Sequence, residues 1–484
     1  MGDKMKRESI SGVDRAWLSM DRATNLMIIN GVMLFDTMLD YDRVLTLFDE
    51  RMVKQYDRFS QRPVESANSS NRLYWETDPY FDIRSHVVRI ALPGPGDTAT
   101  LQELMSSLMG TALDANHPLW RIYLIEGLGG GSALFLRIHH SLADGIALIR
   151  VMLSLTDLEP GAAVVPSTTG TAGGNGRGFR PIRSAFGMAR TAGGRFATVA
   201  KFMAREGAHV LGDPGYPLDR VKAAGLMTAA SAAILARLLI IPPDRKSVFR
   251  GELGATKRVV WSDPVDLDKV KSIGRATDAT VNDVLIAALS GALRNYMLQY
   301  GDNVDGEDVR AMVPVNLRPL DGKIELGNQF GLVYLSLPVS VEGPLRRLFE
   351  VKRRMDVLKG SPEAIITYQV LNLLGRLPGE LAERAVDMFA GKATAVLTNV
   401  PGPRSTLYFA GEPVDSMMFW VPQSGDIGLG ISIFSYAGTV ILGIAIDESL
   451  ITQPEEIMSD FRTEFDVLAD AVERMKPDSE SADL

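Results

Sequence analysis

Two adjacent histidines form the clearest chemical pattern in the sequence. His139 and His140 are followed, after three residues, by Asp144 and Gly145. A free imidazole has a pKa of about 6.5, so a histidine can take up and return a proton near neutral pH. An aspartate at this distance can brace the loop by pairing with a basic residue, and a glycine lets the backbone or a ligand approach closely. We therefore predict that His140 is a general base.

Metal binding and simple packing are the alternatives for this pair. The chain has five histidines and no cysteine, which excludes disulfides, thiolate metal sites, iron–sulfur clusters and a cysteine acyl-enzyme. No third histidine stands at ligand spacing, although Asp144 could serve as a ligand, and we predict no metal site. We expect His86 to pack in the fold or lie at the surface, His117 to cap a turn, and His209 to be solvated.

A serine nucleophile is the main mechanistic alternative to a general base. Such enzymes need a Gly-x-Ser-x-Gly elbow or another serine set against a base. The segment around Ser432 begins with Gly430 but has Phe434 where the second glycine should stand. Ser141 adjoins His140, but sequence neighbours seldom face each other as a catalytic triad requires. The residues favour a direct, single-step transfer.

A buried hairpin is predicted to position the two histidines. Strand-like residues 120–126 and 132–139 flank a glycine-rich turn. Residues 133–136 are apolar on both faces, which is typical of a strand inside a sheet. Apolar residues then recur at helical spacing and predict a helix packed on that sheet: Leu142, Ile146, Ile149 and Leu153. The histidines thus lie where a buried strand ends.

A second set of alternating helices and strands begins near Ala255. We predict a substrate channel between the two halves, a common position for small-molecule sites. The predicted strands cover residues 257–261, 309–315 and 393–397, together with an apolar hairpin over 427–446. The predicted helices cover residues 267–276, 281–297, 380–389 and 454–475.

A linker separates these two halves. Residues 161–178 are rich in Gly, Thr, Ala, Ser and Pro, a composition typical of a flexible connection. We predict a first domain over residues 1–159, a linker over 160–254 and a second domain over 255–484.

The linker contains a basic amphipathic segment. It carries seven basic residues before its first acid, Glu206, with phenylalanines interleaved. This pattern predicts either a helix lying on an anionic membrane surface, within residues 177–241, or an ordinary linker helix docked on the protein. The whole chain has a net charge of −8, which argues against nucleic acid as a partner.

No targeting or membrane-spanning segment is predicted. Residues 1–14 mix charges without an apolar run, so they do not resemble a secretory signal. The longest apolar stretch, residues 223–236, has about fourteen residues, whereas a spanning helix needs roughly 20. We therefore expect a cytoplasmic protein whose contact with the membrane or with lipid inclusions is at most peripheral.

The segment from His139 to Gly145 resembles the HHxxxDG signature of the bacterial wax ester synthase/diacylglycerol acyltransferase family. This family is a branch of the CoA-dependent acyltransferases, which include chloramphenicol acetyltransferase and peptide-synthetase condensation domains. The signature alone identifies only the superfamily, and residues 14–18 resemble the opening of the family more loosely. Four further segments resemble this particular branch, in matching order: Pro118-Leu119-Trp120, Asn282-Asp283, Asn399 to Pro403 and Ser435 to Gly438.

The resemblance implies an α/β fold of two chloramphenicol-acetyltransferase-like domains with mixed sheets, joined by a long, partly helical linker. A tunnel would run along their interface, with acyl-CoA entering from one side and a hydrophobic alcohol from the other. The implied activity is acyl-CoA-dependent O-acyltransfer to diacylglycerol or a long-chain fatty alcohol, giving triacylglycerol or wax ester for lipid storage. No cofactor is implied, because acyl-CoA is a substrate.

The resemblance also assigns roles to single residues. His140 is the base and His139 supports the site, with Gly145 and Asp283 as further support. Asn282 helps to shape the active centre. Asp144 is structural and pairs with an arginine, for which we suggest Arg318. The segments 118–120 and 399–403 are expected to be scaffold, since Pro and Trp mainly fix backbone and packing.

The sequence is also consistent with two alternative functions. One is a condensation-type acyltransferase acting on another acceptor, although the chain shows no carrier-protein domain or attachment site. The other is a non-catalytic protein that binds lipid bodies through the basic segment. The intact histidine motif argues against it, because such a protein has no need of a base.

Overall fold

The computed structural model describes residues 7–66, 69–160, 236–238, 240–317, 326, 328–374 and 379–475. The Gly-rich stretch and nearly all of the basic segment of the predicted linker lie outside these residues, as does Arg318. The division into 1–159, 160–254 and 255–484 stays a prediction. Within the described part of the chain, no helix is both long and apolar enough to cross a bilayer.

The described residues form seventeen strands, most of them in two large mixed sheets. In chain order they are β1 (Arg7–Ser9), β2 (Ile28–Phe35), β3 (Gln61–Ser66), β4 (Ser69–Thr77), β5 (Val87–Ala91), β6 (Trp120–Leu128), β7 (Gly131–His139), β8 (Lys257–Trp261), β9 (Val265–Asp266), β10 (Val309–Asn316), β11 (Phe330–Leu337), β12 (Ala395–Pro401), β13 (Tyr408–Phe409), β14 (Glu412–Pro413), β15 (Ser416–Trp420), β16 (Leu429–Tyr436) and β17 (Thr439–Asp447).

Eleven α-helices cover or join these sheets in the part of the chain that the structure describes. They are α1 (Gly12–Ser19), α2 (Tyr41–Phe48), α3 (Ile83–His86), α4 (Thr98–Met109), α5 (Gly145–Ser154), α6 (Leu267–Thr277), α7 (Val281–Gln299), α8 (Pro344–Lys359), α9 (Glu363–Leu374), α10 (Gly379–Ala390) and α11 (Pro454–Glu473). The predicted hairpin, the helix after it and the predicted elements of the second half are all confirmed, with bounds that shift by a few residues.

The first sheet has the order β15-β2-β7-β6-β5, and its innermost strand carries the histidines. All nine residues of β7 are buried, as the run of apolar residues predicted, because neighbours cover both of its faces and edges. The second sheet has the order β11-β10-β12-β16-β17-β8, and β9 also pairs with β17. Parallel and antiparallel pairs occur in both sheets, which confirms the expectation of mixed sheets.

One strand crosses between the halves. β15 comes from the second half of the chain but pairs with β2 of the first sheet, with Met418 opposite Val32. Its Met-Met-Phe-Trp sequence contributes buried side chains to the first core, including Met418 and Trp420. The two halves therefore share backbone hydrogen bonds as well as side-chain contacts, and sequence patterns did not predict this exchange.

The second sheet is built around a buried helix. Residues 283–293 of α7 are all buried between the sheet and helices α8 and α11. Burying one Leu, Ile or Val side chain contributes about 1.5–3 kcal/mol, so this apolar helix anchors the second core. The segment before β8 is tied to the second sheet at Asp244. Asp244 accepts hydrogen bonds from Arg310 N at 2.8 Å and from Thr394 Oγ1 at 2.6 Å.

Helix α9 seals the free edge of the second sheet. An edge strand exposes unpaired N–H and C=O groups unless something covers them. Thr367 Oγ1 accepts from Leu332 N at 2.7 Å and donates to Leu332 O, while Glu363 Oε1 accepts from Tyr334 N at 3.0 Å. The backbone of α9 lies so close to β11 that a Cβ at Gly331 would be 1.7 Å from Ala364 O. This contact holds α9 in the wall of a cavity, which Thr367, Val370 and Leu371 line.

Candidate active site

The end of β7 fixes the two histidines in different ways. His139 is the last residue of the strand and pairs with Ile28 in β2. The chain then turns, and His140 N donates to Met27 O at 2.7 Å. Both side chains are buried, with exposed fractions of 2% for His139 and 5% for His140. Their rings nevertheless have separate neighbours.

His139 lies in a closed array of polar groups. Ser141 N donates to His139 Nδ1 at 3.1 Å, and Ser141 Oγ is 2.8 Å from the same nitrogen. Because a backbone N–H can only donate, Nδ1 carries a lone pair in the neutral ring and the proton sits on Nε2. Nε2 lies 3.3 Å from Asp21 Oδ2, an electrostatic contact that is not aligned as a hydrogen bond.

This Ser141-His139-Asp21 array bears on the serine alternative. Ser141 does face a histidine, but the partner is His139, two residues before it, and not His140. Ser141 is 0% exposed, and neither Ser141 nor His139 is among the residues that line the cavity. A serine nucleophile needs access to its substrate, so this geometry suits bracing of the turn better than acyl transfer.

His140 forms part of a cavity wall and is packed between aromatic rings. Its ring stacks on Trp17 of α1, with centroids 4.0 Å apart and planes 18° apart. Phe330 lies on another side, with a centroid distance of 5.5 Å. Nδ1 of His140 is buried and has no hydrogen-bond partner. Only Nε2 can therefore meet a molecule in the cavity.

Burial lowers the pKa of His140 to about 3, because charging an imidazole without water is costly. The ring's own backbone and Asn328 favour the charged form, whereas the neighbouring His139 disfavours it. The imidazole is thus neutral across the physiological pH range and has a free lone pair. A neutral imidazole is the form that can accept a proton.

Asp144 braces the helix that follows. Its Oδ1 caps α5 by accepting from Ala147 N at 2.8 Å, and its Oδ2 accepts from Gln329 N at 3.0 Å. It therefore joins the two halves at the site. The suggested partner Arg318 lies outside the described residues, so that pairing stays a prediction. Gly145 begins α5 and lines the cavity, where a Cβ would meet open space.

The cavity lies at the seam between the halves, and the second half supplies most of its wall. It holds about 1270 Å³ of space between atoms, part of it open to solvent. Its apolar lining consists of Trp17, Met20, Met312, Pro314, Phe330, Leu332, Val370, Leu371, Val386, Phe389, Ala390, Val396, Val400, Phe419, Val421 and Pro422. Its polar lining consists of His140, Asp144, Asn316, Tyr334, Thr367, Thr398, Asn399 and Ser424. This arrangement suits a long apolar chain with one polar reacting group.

Asn282 and Asp283 lie at the head of α7 but have different surroundings. Asp283 forms a capping box with Thr280: its Oδ2 accepts from Thr280 N at 2.8 Å. Asn282 Oδ1 accepts from Asn399 Nδ2 at 2.9 Å. Asn399 lines the cavity and Asn282 is not among the lining residues. Asn282 therefore contacts the cavity wall through Asn399, a residue that the sequence analysis expected to be scaffold.

The remaining histidines lie apart from the cavity. His86 is 3% exposed and stacks on Trp120, so it packs in the core. His117 Nδ1 lies 2.8 Å from Asp78 Oδ2 at the start of β6, and its side chain is 47% exposed. His209 lies outside the described residues. Within those residues, no cluster of three or more His, Asp or Glu has the arrangement of a metal site.

Three residues next to His140 were missed by sequence reasoning: Trp17, Phe330 and Asn328. Trp17 stands in the opening segment that resembled the family only loosely, which is the one local signal available. Asn328 Nδ2 donates at 2.8 Å both to His140 O and to Asp14 Oδ1. It is 188 positions from His140, and no local pattern marks such a contact.

Comparison with curated proteins finds acyltransferases along most of the chain. A probable diacylglycerol O-acyltransferase of Mycobacterium tuberculosis, tgs1, is 28% identical over 426 residues, which cover 86% of each chain. A second from that organism, tgs2, is 27% identical over 453 residues, covering 89% of this chain and 92% of the relative.

Comparison with solved structures supports the two-lobed fold. The wax ester synthase/diacylglycerol acyltransferase from Marinobacter aquaeolei matches with a TM-score of 0.67 and 21% identity, over 96% of this chain and 99% of that one. The first condensation domain of the calcium-dependent antibiotic synthetase matches with a TM-score of 0.60 and 17% identity, over 97% of both chains. At these identities the likeness concerns the fold, as the sequence resemblance implied.

Family models give the most direct assignment. The wax ester synthase/diacylglycerol acyltransferase catalytic domain matches residues 10–285, a range that includes the histidine pair. The C-terminal domain of the same family matches residues 326–469, which form much of the cavity wall. The chain therefore belongs to the wax ester synthase/diacylglycerol acyltransferase family and is an acyltransferase.

Proposed function

We propose that this acyltransferase moves an acyl chain from acyl-CoA to the hydroxyl of diacylglycerol or a long-chain alcohol, with His140 as general base. The products are triacylglycerol or wax ester. The observation that carries the proposal is a buried, neutral imidazole at the wall of a large apolar cavity. Relatives named as diacylglycerol O-acyltransferases support this acceptor class.

The reaction proceeds in one transfer with a tetrahedral intermediate. Nε2 of His140 takes the hydroxyl proton while the alcohol oxygen forms a bond to the thioester carbonyl carbon. The C–S bond then breaks, and the same proton passes from the imidazolium to the departing CoA thiolate. A positioned base contributes about 100- to 10,000-fold to such a reaction, and the remaining acceleration comes from holding two substrates in one cavity.

Charge balance explains how a base with so low a pKa can act. Without an opposite charge nearby, burial makes an isolated imidazolium costly. During the reaction the positive ring forms beside the negative tetrahedral oxygen, and in a dry site these opposite charges stabilise each other strongly. His140 thus gains its basicity from the intermediate that it helps to form.

The cavity lining fits acyl or alkyl chains. Each methylene transferred from water into such a site contributes about 0.8 kcal/mol, and the wall offers sixteen apolar residues. The polar groups are few, which suits a substrate with one reacting hydroxyl. A condensation-type transfer to a different acceptor is the alternative for this acyltransferase.

A product assay distinguishes these functions. Purified protein receives radiolabelled palmitoyl-CoA with diacylglycerol, with hexadecanol, or with an amine of equal chain length, and the lipids are separated by chromatography. We expect labelled triacylglycerol or wax ester. Amide as the dominant product would establish the condensation-type alternative, and the absence of any ester would refute the proposed acceptors. A stable acyl-enzyme in the mass spectrum would instead support a serine mechanism.

We also propose peripheral membrane contact through residues 177–241. The support is the sequence pattern alone: seven basic residues precede the first acid, with aromatic residues between them. Flotation with vesicles of anionic lipid should recover the protein at low salt and lose it at high salt, because salt screens the attraction. A variant with these seven basic residues changed to Gln should not float; flotation unaffected by that change would refute the proposal.

A further inference from the structure

No aligned hydrogen bond to Nδ1 fixes the orientation of the His140 ring, although the Asn328 side chain lies near enough to favour its charged form. The aromatic side chains packed on the ring are therefore its main restraint. The closest ring is Trp17, whose plane is nearly parallel to the imidazole at a centroid distance of 4.0 Å. Phe330 limits the space on another side. Trp17 thus covers one face of the imidazole.

The backbone of His140 is held by a bridge. Asn328 Nδ2 donates at 2.8 Å to His140 O and at 2.8 Å to Asp14 Oδ1. Asp14 is 5% exposed and Asn328 is 8% exposed, so water competes little for these bonds. The bridge joins residues from three distant parts of the chain at one side-chain nitrogen, Asn328 Nδ2.

Helix α1 supplies both contacts. Asp14 and Trp17 are three residues apart, so their side chains lie on the same face of the helix. Ser11 caps this helix by accepting from Asp14 N at 3.1 Å, and the helix packs on α9 and α10 of the second half. A shift of α1 would therefore move the ring contact and the backbone bridge together.

We propose that Trp17, Asn328 and Asp14 act as positioning residues that hold the imidazole of His140 in the orientation needed for proton transfer. These three residues are called the clamp. This inference rests on the proposed role of His140 as base. Trp17 sets the plane of the ring, and the Asp14-Asn328 bridge sets the backbone from which the ring extends. Because Nδ1 is buried and His140 lines the cavity, Nε2 is the ring nitrogen left to meet the substrate.

The electrostatic surroundings give the clamp a second effect on the ring. The titratable groups around His140 are His139 beside it, Asp14 bonded to Asn328, and Asp144, the N-cap residue of α5, which lines the same cavity. Arg58 acts on Asp14. Trp17 keeps water from one ring face, and loss of that cover lets the imidazole charge more easily. Replacement of Trp17 by a small residue should therefore raise the pKa of His140 towards its usual value.

Kinetics of matched variants test the clamp. Trp17→Leu keeps apolar bulk but removes the flat ring, and Trp17→Phe restores a flat ring. Asn328→Leu removes both bonds of the bridge, whereas Asp14→Asn keeps an acceptor oxygen for Asn328. A misplaced catalytic group can cost about 100-fold in rate. We expect kcat to fall by about ten- to 100-fold in Trp17→Leu and Asn328→Leu, while KM for acyl-CoA changes by less than about threefold.

The conservative variants and pH profiles distinguish positioning from general instability. Trp17→Phe should keep most of the kcat that Trp17→Leu loses, and Asp14→Asn should keep most of the kcat that Asn328→Leu loses. Trp17→Ala should move the acidic limb of the kcat/KM profile to higher pH. Trp75→Phe, in a buried tryptophan that does not line the cavity, should lower the melting temperature without changing the pH profile. All rates are measured well below the melting temperature of each variant.

The outcomes separate this inference from the proposed function. If His140→Ala retains near-full activity, the proposed base fails and the clamp fails with it. If His140→Ala is inactive but Trp17→Leu and Asn328→Leu keep kcat within about twofold of wild type, only the clamp is overturned. A loss confined to KM, or equal losses in Trp17→Leu and Trp17→Phe, would likewise overturn it.

Discussion

Among the residues that the structure describes, two histidines stack on tryptophans inside the fold, and one of them, His140, lines the large cavity. His86 stacks on Trp120 with centroids 4.5 Å apart and planes 26° apart, and His140 stacks on Trp17 at 4.0 Å and 18°. The difference lies at Nδ1. In His86 this nitrogen is bonded to Trp120 O at 2.8 Å, whereas in His140 it has no partner.

The comparison separates a structural histidine from the proposed base. Burial lowers the pKa of both rings, so a shifted pKa does not separate them. A satisfied hydrogen bond and closed packing make His86 a structural residue. His140 instead lines a large apolar cavity and has no hydrogen-bond partner at Nδ1, which fits the proposed role as base. The predictions that follow change one of the two stacks and leave the other intact.

The largest expected effect is the loss of activity in His140→Ala. Removal of the base should lower kcat by about 100- to 10,000-fold. The change also relieves the cost of a buried, unpaired nitrogen, so the melting temperature should change little. Ester formation from labelled acyl-CoA and thermal unfolding are measured on the same preparation. Near-full ester formation in the variant would remove His140 from the mechanism.

The matched change His86→Ala should have the opposite profile. It removes a stacked ring and leaves Trp120 O without its donor in the core. Lost packing and an unsatisfied buried carbonyl cost about 2–4 kcal/mol together. Chemical denaturation should show this loss, while kcat of the folded enzyme stays at the wild-type value. A variant of normal stability but low kcat would mean that His86 takes part in the reaction.

The pH dependence of stability should change when either ring is removed. In the unfolded chain a histidine binds a proton near pH 6.5, whereas His140 in the fold does so only near pH 3. The unfolded state therefore holds more protons between these values, and folding stability falls as the pH is lowered from 6.5 towards 3. The contribution of one such group is at most about 1.4 kcal/mol per pH unit.

Urea unfolding at several pH values between 4 and 8 measures this effect. His140→Ala should reduce the slope of stability against pH below about 6.5, and His86→Ala should reduce it in the same direction. Asp14 changes in the opposite sense, because burial raises its pKa, so each variant is compared with wild type at the same pH. An unchanged slope in His140→Ala would mean that the folded ring is not held neutral.

Local sequence patterns predicted much of this fold. The apolar run in β7, the glycine-rich turn before it and the helical spacing after it predicted the strand, hairpin and helix that carry His140. The strand predicted over 393–397 begins at Ala395 and extends to Pro401, because parallel pairing with β16 continues to Ser435. Such pairing is set by the partner strand and not by the residues themselves.

The contacts that distinguish the two histidines were not predictable in this way. Asp14, His140 and Asn328 meet only in the folded chain, where Asn328 lies 188 positions from His140 and 314 from Asp14. The exchange of β15 into the first sheet is likewise a long-range pairing. Periodicity reports which face of an element is buried but not which residue covers it. The HHxxxDG motif therefore distinguished His140 from His86, but the sequence could not predict which residues surround each ring.

The smallest expected effect is in Trp120→Phe, which weakens the structural stack alone. Trp120 Nε1 donates to Phe59 O at 2.8 Å, and phenylalanine keeps an aromatic face for His86 but cannot donate. Loss of one buried hydrogen bond costs about 1–3 kcal/mol, and kcat should not change because Trp120 does not line the cavity. Calorimetry and the ester assay test both statements. A fall in kcat similar to that of Trp17→Leu would mean that any buried tryptophan supports activity through general stability, and the contrast between the two stacks would lose its meaning.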